Sequence, residues 1–167
     1  MCGKLYGWKI MYILGISCWY HDSAATLIFD GEIIAAAQEE RFTRVKQDSS
    51  FPGGAIKYCL KEGNIHLDDI DKIVFYDDPL LKFARIKKTY YQFFPKSISF
   101  IFKSFPIWFF KKQYWKKELL NEFFNNFKVN IKKDKLTNTQ HHRSHAASAF
   151  FPSPFKDAAI LILDGVG

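Results

Sequence analysis

Cysteine is scarce. Three in 167 residues, Cys2, Cys18 and Cys59, form an odd set with no CxxC pair. That excludes a disulfide framework and a thiolate zinc site, and it fits a reducing cytoplasm, the expected location. No run of about 18 uncharged apolar residues occurs, so no segment reads as a membrane span. The apolar stretch of MCGKLYGWKIMYILGIS is short, interrupted by glycine and continuous with strand-like sequence, which does not suit a secretory signal. Prolines and glycines number only 6 and 9, whereas 48% of residues are hydrophobic and 18% aromatic. Such a chain can bury a real core, and its length suits one domain.

The net charge of +7 is unevenly spread. Residues 80–135 hold fourteen Lys or Arg against three acids, so the remainder sums to −4. The same segment carries sixteen of the thirty aromatic residues, among them Phe93, Phe94, Trp108, Phe109, Phe110, Trp115, Phe123 and Phe124. It reads as a basic aromatic insert. Its clusters can form amphipathic helices at an anionic membrane surface, or helices packed on the body of the protein with their lysines in water. No RNA-binding signature accompanies it, and the remainder is neutral to acidic, so a nucleic-acid partner is not expected.

The rest of the chain reads as α/β. MYILGIS and ATLIFD, then EIIAAAQ after Gly31, are three runs of strand-forming residues. Asp30-Gly31 is a hairpin signal, because a type I′ turn demands positive φ. Pro52 and Gly63 bracket AIKYCLKEG, whose Ile56, Cys59 and Leu60 fall at helical spacing, predicting a helix of about three turns. Asp71 to Asp77 reads as a buried strand. Pro95 and Pro106 break the insert into separate helices. HHRSHAASAFF permits a helix, ended by Pro152 and Pro154. AAILILDGVG is expected to be a strand needing neighbours on both faces, with the rest of a larger protein beginning at or just after Gly167. Residues 1–10, before Met11 and the first strand, are expected to be a leader.

Three places can carry chemistry. At the first inter-strand turn, His21-Asp22-Ser23 offers a histidine able to act as a base near neutral pH and amides able to cradle an anion. It equally suits an ordinary turn with its histidine in water. His141 and His145 are four residues apart, which on a helix puts both imidazoles on one face, where they can share a metal ion. A surface or capping role fits them as well, and His142 should point about 100° away. Asp164-Gly165-Val166-Gly167 can hold a metal or a metal-bound phosphate, or can simply turn the chain. Taken together, two imidazoles and a carboxylate make a mixed ligand set suited to iron, manganese or zinc.

The strings LGISCWYHDSAATLIFDGEIIAAAQEERFTRVK, QHHRSHAASAFFPSPF and AAILILDGVG resemble the N-terminal domain of the carbamoyltransferases of the nodulation and cephamycin type, the family of tobramycin carbamoyltransferase. The likeness runs through both ends of the chain, in order; the middle departs from it. It implies that 11–167 is the first part of that domain, in the fold of the actin-like ATPase superfamily. The expected lobe has a mixed sheet opening with a three-stranded meander, flanked by helices, with the first strand of the second lobe at the C-terminus.

The resemblance further implies ATP-dependent transfer of a carbamoyl group from carbamoyl phosphate, through carbamoyl adenylate, to a hydroxyl-bearing acceptor. The acceptor would be a sugar, an antibiotic or a polysaccharide precursor. His141, His145 and Asp164 would bind a divalent metal (iron, manganese, magnesium or zinc), and His21 would take the acceptor's proton. Asp22, Ser23, Gly165 and Gly167 would line the nucleotide or phosphate, with ATP as co-substrate. Glu39 to Arg44 matches the family's EERF(S/T)R string and would be site architecture. In the family the middle region is variable helical material, which favours the packed reading of the insert over a membrane contact. The other function class is a kinase or nucleotide-dependent binding module of the same superfamily.

Overall fold

The computed structural model describes residues 10–96, 98 and 114–164. Contacts divide the chain into two units. One comprises the chain up to Phe75 with Glu122–Thr137, the other Tyr76–Asn121 with the residues from Asn138 onward.

The first unit opens with the expected meander. Strands β1 (Tyr12–Ser17), β2 (Ala24–Phe29) and β3 (Glu32–Gln38) pair antiparallel in sequence. Asp30 and Gly31, which join β2 to β3, have φ of 48° and 88°, the two positive values that a type I′ turn needs. β4 (Lys72–Phe75) lies parallel to β1, and β5 (Leu136–Asn138) completes a mixed sheet of order β3-β2-β1-β4-β5. The Asp71–Asp77 segment is thus a strand over its central four residues. Asp71 instead accepts a hydrogen bond from the Tyr12 amide at 3.0 Å, closing the start of β1.

A parallel β1–β4 pair requires a crossover. It is supplied by α1 (Glu40–Thr43), α2 (Gly53–Glu62) and a short 3₁₀ turn, Leu67–Asp69. Period-two alternation puts Leu14, Leu27 and Ile73 in one row across the sheet, and Ile16, Ala25 and Phe75 in the next. All six are buried, as are Ala55, Ile56 and Cys59 of α2. The Cys59 Sγ lies 3.5 Å from the Ala25 carbonyl, so α2 covers this face of the sheet. Phe123 is fully buried and meets Phe51 edge-on, with ring centroids 5.1 Å apart.

The second unit contains α3 (Pro79–Gln92), the first part of α4 (Trp115–Phe127) and α5 (His141–Phe150). Asp78 caps α3, accepting from the Leu80 and Leu81 amides at 3.1 and 3.0 Å, with Pro79 at the first helical position. Within the expected insert, Trp115 and Leu119 are buried while Tyr91, Phe93 and Phe94 are exposed. Pro106, Trp108, Phe109 and Phe110 lie outside the described residues, as do Cys2, most of the expected leader, Gly165 and Gly167. No helix among the described residues is long and apolar enough to cross a membrane.

One expectation fails. Ala158 to Leu163 forms no strand, and Leu161 and Leu163 are 83% and 85% exposed. An apolar run becomes a strand only when a neighbouring backbone accepts from its N–H groups and donates to its C=O groups. Among the described residues no strand runs beside it.

Candidate metal centre

Helix α5 begins directly after Gln140, whose carbonyl receives the Ser144 amide at 3.0 Å. Ser144 also donates its hydroxyl to the Tyr76 carbonyl at 2.7 Å, tying the first turn of α5 to the residue that follows β4. The Tyr76 ring stands edge-on to His141 at 5.9 Å. One turn along, His145 presents its ring nearly perpendicular to that of His141, with centroids 4.6 Å apart. Phe150 ends the helix, and the chain then runs back to deliver Asp164 to the helix start. Ten helical residues rise about 15 Å, a distance that the fourteen residues from Phe151 to Asp164 span easily.

Three ligand atoms therefore converge. His141 Nε2 is 2.8 Å from Asp164 Oδ2 and 3.2 Å from His145 Nε2. One ligand atom from each of the three residues lies within 4.8 Å of the others. A ring nitrogen carries either one hydrogen or one lone pair, so His141 Nε2 can satisfy only one of its two polar neighbours. The His141 Nδ1 is buried without a partner. A hydrogen on Nε2 can be donated to Asp164, whereas one on Nδ1 would go unpaired at a cost of about 1–3 kcal/mol. In that tautomer His145 Nε2, 3.2 Å away, faces a nitrogen whose hydrogen is shared with Asp164. A cation placed among the three atoms would accept a lone pair from each of them. With ligand bonds of about 2.1 Å, the separations of 3.2 and 2.8 Å correspond to angles of about 100° and 84° at the ion, values ordinary for adjacent ligands. Two imidazoles and a carboxylate fit a borderline divalent metal.

His21 belongs to the other unit, in the turn between β1 and β2. Its Nδ1 lies 2.6 Å from Asp22 Oδ2, and both side chains are open to solvent. This holds the hydrogen on Nδ1 and leaves Nε2 as the basic atom. Asp22 adopts φ 52°, a conformation that Asp tolerates better than most residues. The Ser23 amide donates to the Asp48 carbonyl at 2.8 Å, while its buried hydroxyl has no partner.

Residues 12–167 match the family model for the carbamoyltransferase N-terminus. The chain belongs to the carbamoyltransferase family. It is 50% identical over 159 residues to an uncharacterised protein of Synechocystis, covering 93% of this chain and 26% of that protein. Nodulation protein NolNO of Sinorhizobium fredii is 33% identical over 147 residues, covering 88% of this chain and 20% of NolNO. An uncharacterised protein of Methanocaldococcus jannaschii is 29% identical over 189 residues, covering 93% of this chain and 31% of that protein. The chain thus spans under a third of the length of these relatives.

Two side chains make contacts that their motifs do not specify. His142, expected to point away, has its Nε2 3.8 Å from Asp164 Oδ2. Glu39 is buried and spans to α2, its two carboxylate oxygens accepting from the Gly54 and Ala55 amides at 3.0 and 2.8 Å. The remainder of that acidic string shapes a turn. Thr43 donates its hydroxyl to Asp48 at 2.6 Å, and Arg44 closes α1 with φ 62°. The Ser50 and Thr43 hydrogen bonds hold the Asp48 carboxyl below its usual pKa. In the sequence Glu39 is marked only by its place at the head of the EERFTR string, which does not name Gly54 and Ala55 as its partners.

Proposed function

We propose that the full-length protein is an ATP-dependent O-carbamoyltransferase. It moves a carbamoyl group from carbamoyl phosphate, by way of carbamoyl adenylate, to a hydroxyl of a sugar, an antibiotic or a polysaccharide precursor. The observation that carries this reading is the meeting of His141, His145 and Asp164 around one point in a chain of the carbamoyltransferase family. A meander followed by a parallel fourth strand is compatible with the actin-like lobe that the reading implies.

A divalent ion bound there supplies positive charge that attracts an anionic phosphate and polarises its oxygens. His141 and His145 hold it from successive turns of α5, and Asp164 contributes the balancing negative charge. His21 uses Nε2 to take the proton of the acceptor hydroxyl. The hydroxyl oxygen then bonds to the carbamoyl carbon as the carbon–oxygen bond to the phosphate breaks, and AMP leaves with the electron pair. Asp22 keeps the His21 ring oriented and stabilises the imidazolium once it forms. Asp22 and Ser23, with Gly165 and Gly167 beyond the described residues, border the nucleotide in this reading. ATP use and the cysteine content accord with a cytoplasmic enzyme.

The test is metal analysis of the full-length protein alongside transfer of label from radiolabelled carbamoyl phosphate in the presence of ATP. The double variant His141→Ala, His145→Ala should lose both metal and transfer. His21→Ala should keep its metal and lose about 10²- to 10⁴-fold in transfer rate. Metal content and rate unchanged in the double variant would refute the assignment.

A further inference from the structure

Helix α5 fixes His141 and His145 relative to each other. Their meeting with Asp164 depends also on where the helix lies, because the carboxylate returns through the fourteen residues from Phe151 to Asp164. Ser144 supplies an anchor. It falls between the two imidazoles in sequence, and the helical period puts it on the same side of α5. A serine inside a helix often turns its hydroxyl back to the carbonyl four residues earlier. Here that carbonyl, of Gln140, is 3.5 Å away and the Tyr76 carbonyl 2.7 Å. The hydroxyl has one hydrogen, and the shorter bond takes it out of the helix. Its acceptor is held in turn. The buried Asp77 carboxylate receives the Asp78 amide at 2.8 Å and the Lys82 ammonium at 2.6 Å, and Asp78 caps α3. Tyr76 thus stands at the root of α3 and meets the first turn of α5 twice, by its carbonyl at Ser144 and by the edge-on contact of its ring with His141.

We propose that Ser144 is a positioning residue for the metal centre: its hydrogen bond to Tyr76 holds α5 where the His141 and His145 nitrogens face Asp164. This rests on the metal reading above and extends it to a side chain outside the ligand set. A ligand set works only within about 0.5 Å of its productive geometry, so an α5 released from Tyr76 spends part of its time with the imidazoles out of register. Helix propensity predicts the reverse effect, since alanine forms helix better than serine. Ser144→Ala should therefore favour the helix while weakening the site.

The experiment titrates metal-stripped full-length protein with cobalt(II) at constant pH and reads occupancy from the visible absorption of the ion. Ser144→Ala should raise the cobalt Kd by about 3- to 10-fold, the worth of one neutral hydrogen bond, with the same spectrum at saturation. Ser144→Thr, which keeps the hydroxyl, should recover most of the affinity. Ser148→Ala makes the same exchange at a serine whose hydroxyl bonds within α5, to the His145 carbonyl at 2.9 Å, and should leave the Kd unchanged. An unchanged Kd in Ser144→Ala overturns the proposal and leaves the metal reading standing. So does a Thr variant no better than Ala, or a shift in Ser148→Ala equal to that in Ser144→Ala, which would make helix stability the cause. A changed spectrum at saturation in Ser144→Ala would put the Ser144 hydroxyl on the ion and overturn it equally. A parent protein that takes up no cobalt would instead sink the metal reading, and this inference with it. Circular dichroism of each variant separates these outcomes from misfolding.

Discussion

The carboxylate of Glu39 should be one of the strongest single supports of the β-meander unit. It leaves the end of β3, is 5% exposed, and accepts from Gly54 and Ala55 at 3.0 and 2.8 Å across fifteen and sixteen residues of chain. Those amides are among the first four of α2, which have no partner within the helix, and the helix dipole favours negative charge there. Hydrogen bonds to a charged group contribute about 1.5–3 kcal/mol each. Glu39→Ala, which strands both amides, should therefore cost about 3–5 kcal/mol. Glu39→Gln keeps one acceptor and turns an NH₂ toward the other amide, so about 1.5–3 kcal/mol is expected. Glu40→Ala, its neighbour, removes a pair with Arg41 at 3.3 Å and a long hydrogen bond from the Gln47 amide at 3.4 Å and should cost about 1 kcal/mol. Urea unfolding of the three variants gives the ranking, and hydrogen exchange of the 53–62 peptide locates the effect. Glu39→Ala should speed exchange there by about a hundredfold or more, at 1.4 kcal/mol per factor of ten. If Glu39→Ala and Glu40→Ala prove equally mild, the carboxylate does not cap α2 and the argument fails.

Other positions give sharper local tests. A methyl group at Gly63 would sit 2.5 Å from Cδ2 of the fully buried Leu27, so Gly63→Ala should lower stability by about 1–3 kcal/mol; a neutral result in thermal unfolding would contradict the packing. Burial raises the Cys59 thiol pKa, so the stability tied to this is fully present below the ordinary thiol value and is lost as pH rises from there through the raised value. Iodoacetamide should label Cys59 at the rate of global unfolding, and rapid labelling of native protein would be the contrary result. Asp48 has the opposite sign. Its lowered pKa contributes stability above the ordinary carboxylate value of about 4, and that contribution disappears as pH falls through the lower folded value. The stability gap between the parent and Asp48→Asn should accordingly be present at neutral pH and close in acid, which urea midpoints across the pH range would reveal.

Features written in adjacent residues were legible before any coordinates. Asp30-Gly31 announced its turn because φ preference belongs to the two residues themselves; Pro52 and Gly63 also marked the ends of α2, although Gly63 has an ordinary φ of −75°. The imidazole pair on α5 was legible too, since a spacing of four has one meaning on a helix. What stayed hidden depends on where distant chain arrives. β4 pairs with β1 across a crossover that alternation alone cannot specify, and Glu39 meets α2 only because the turn around Asp48 brings the two together. The AILIL run was misread because hydrophobic period records a wish to be buried but not the presence of a ladder partner. His142 was misplaced for a subtler reason. A helical wheel ranks directions around the axis, which suits a partner lying alongside the helix. Asp164 comes to its first turn, where side chains lean back toward the N-terminus and rings at successive positions can reach one carboxylate from either side.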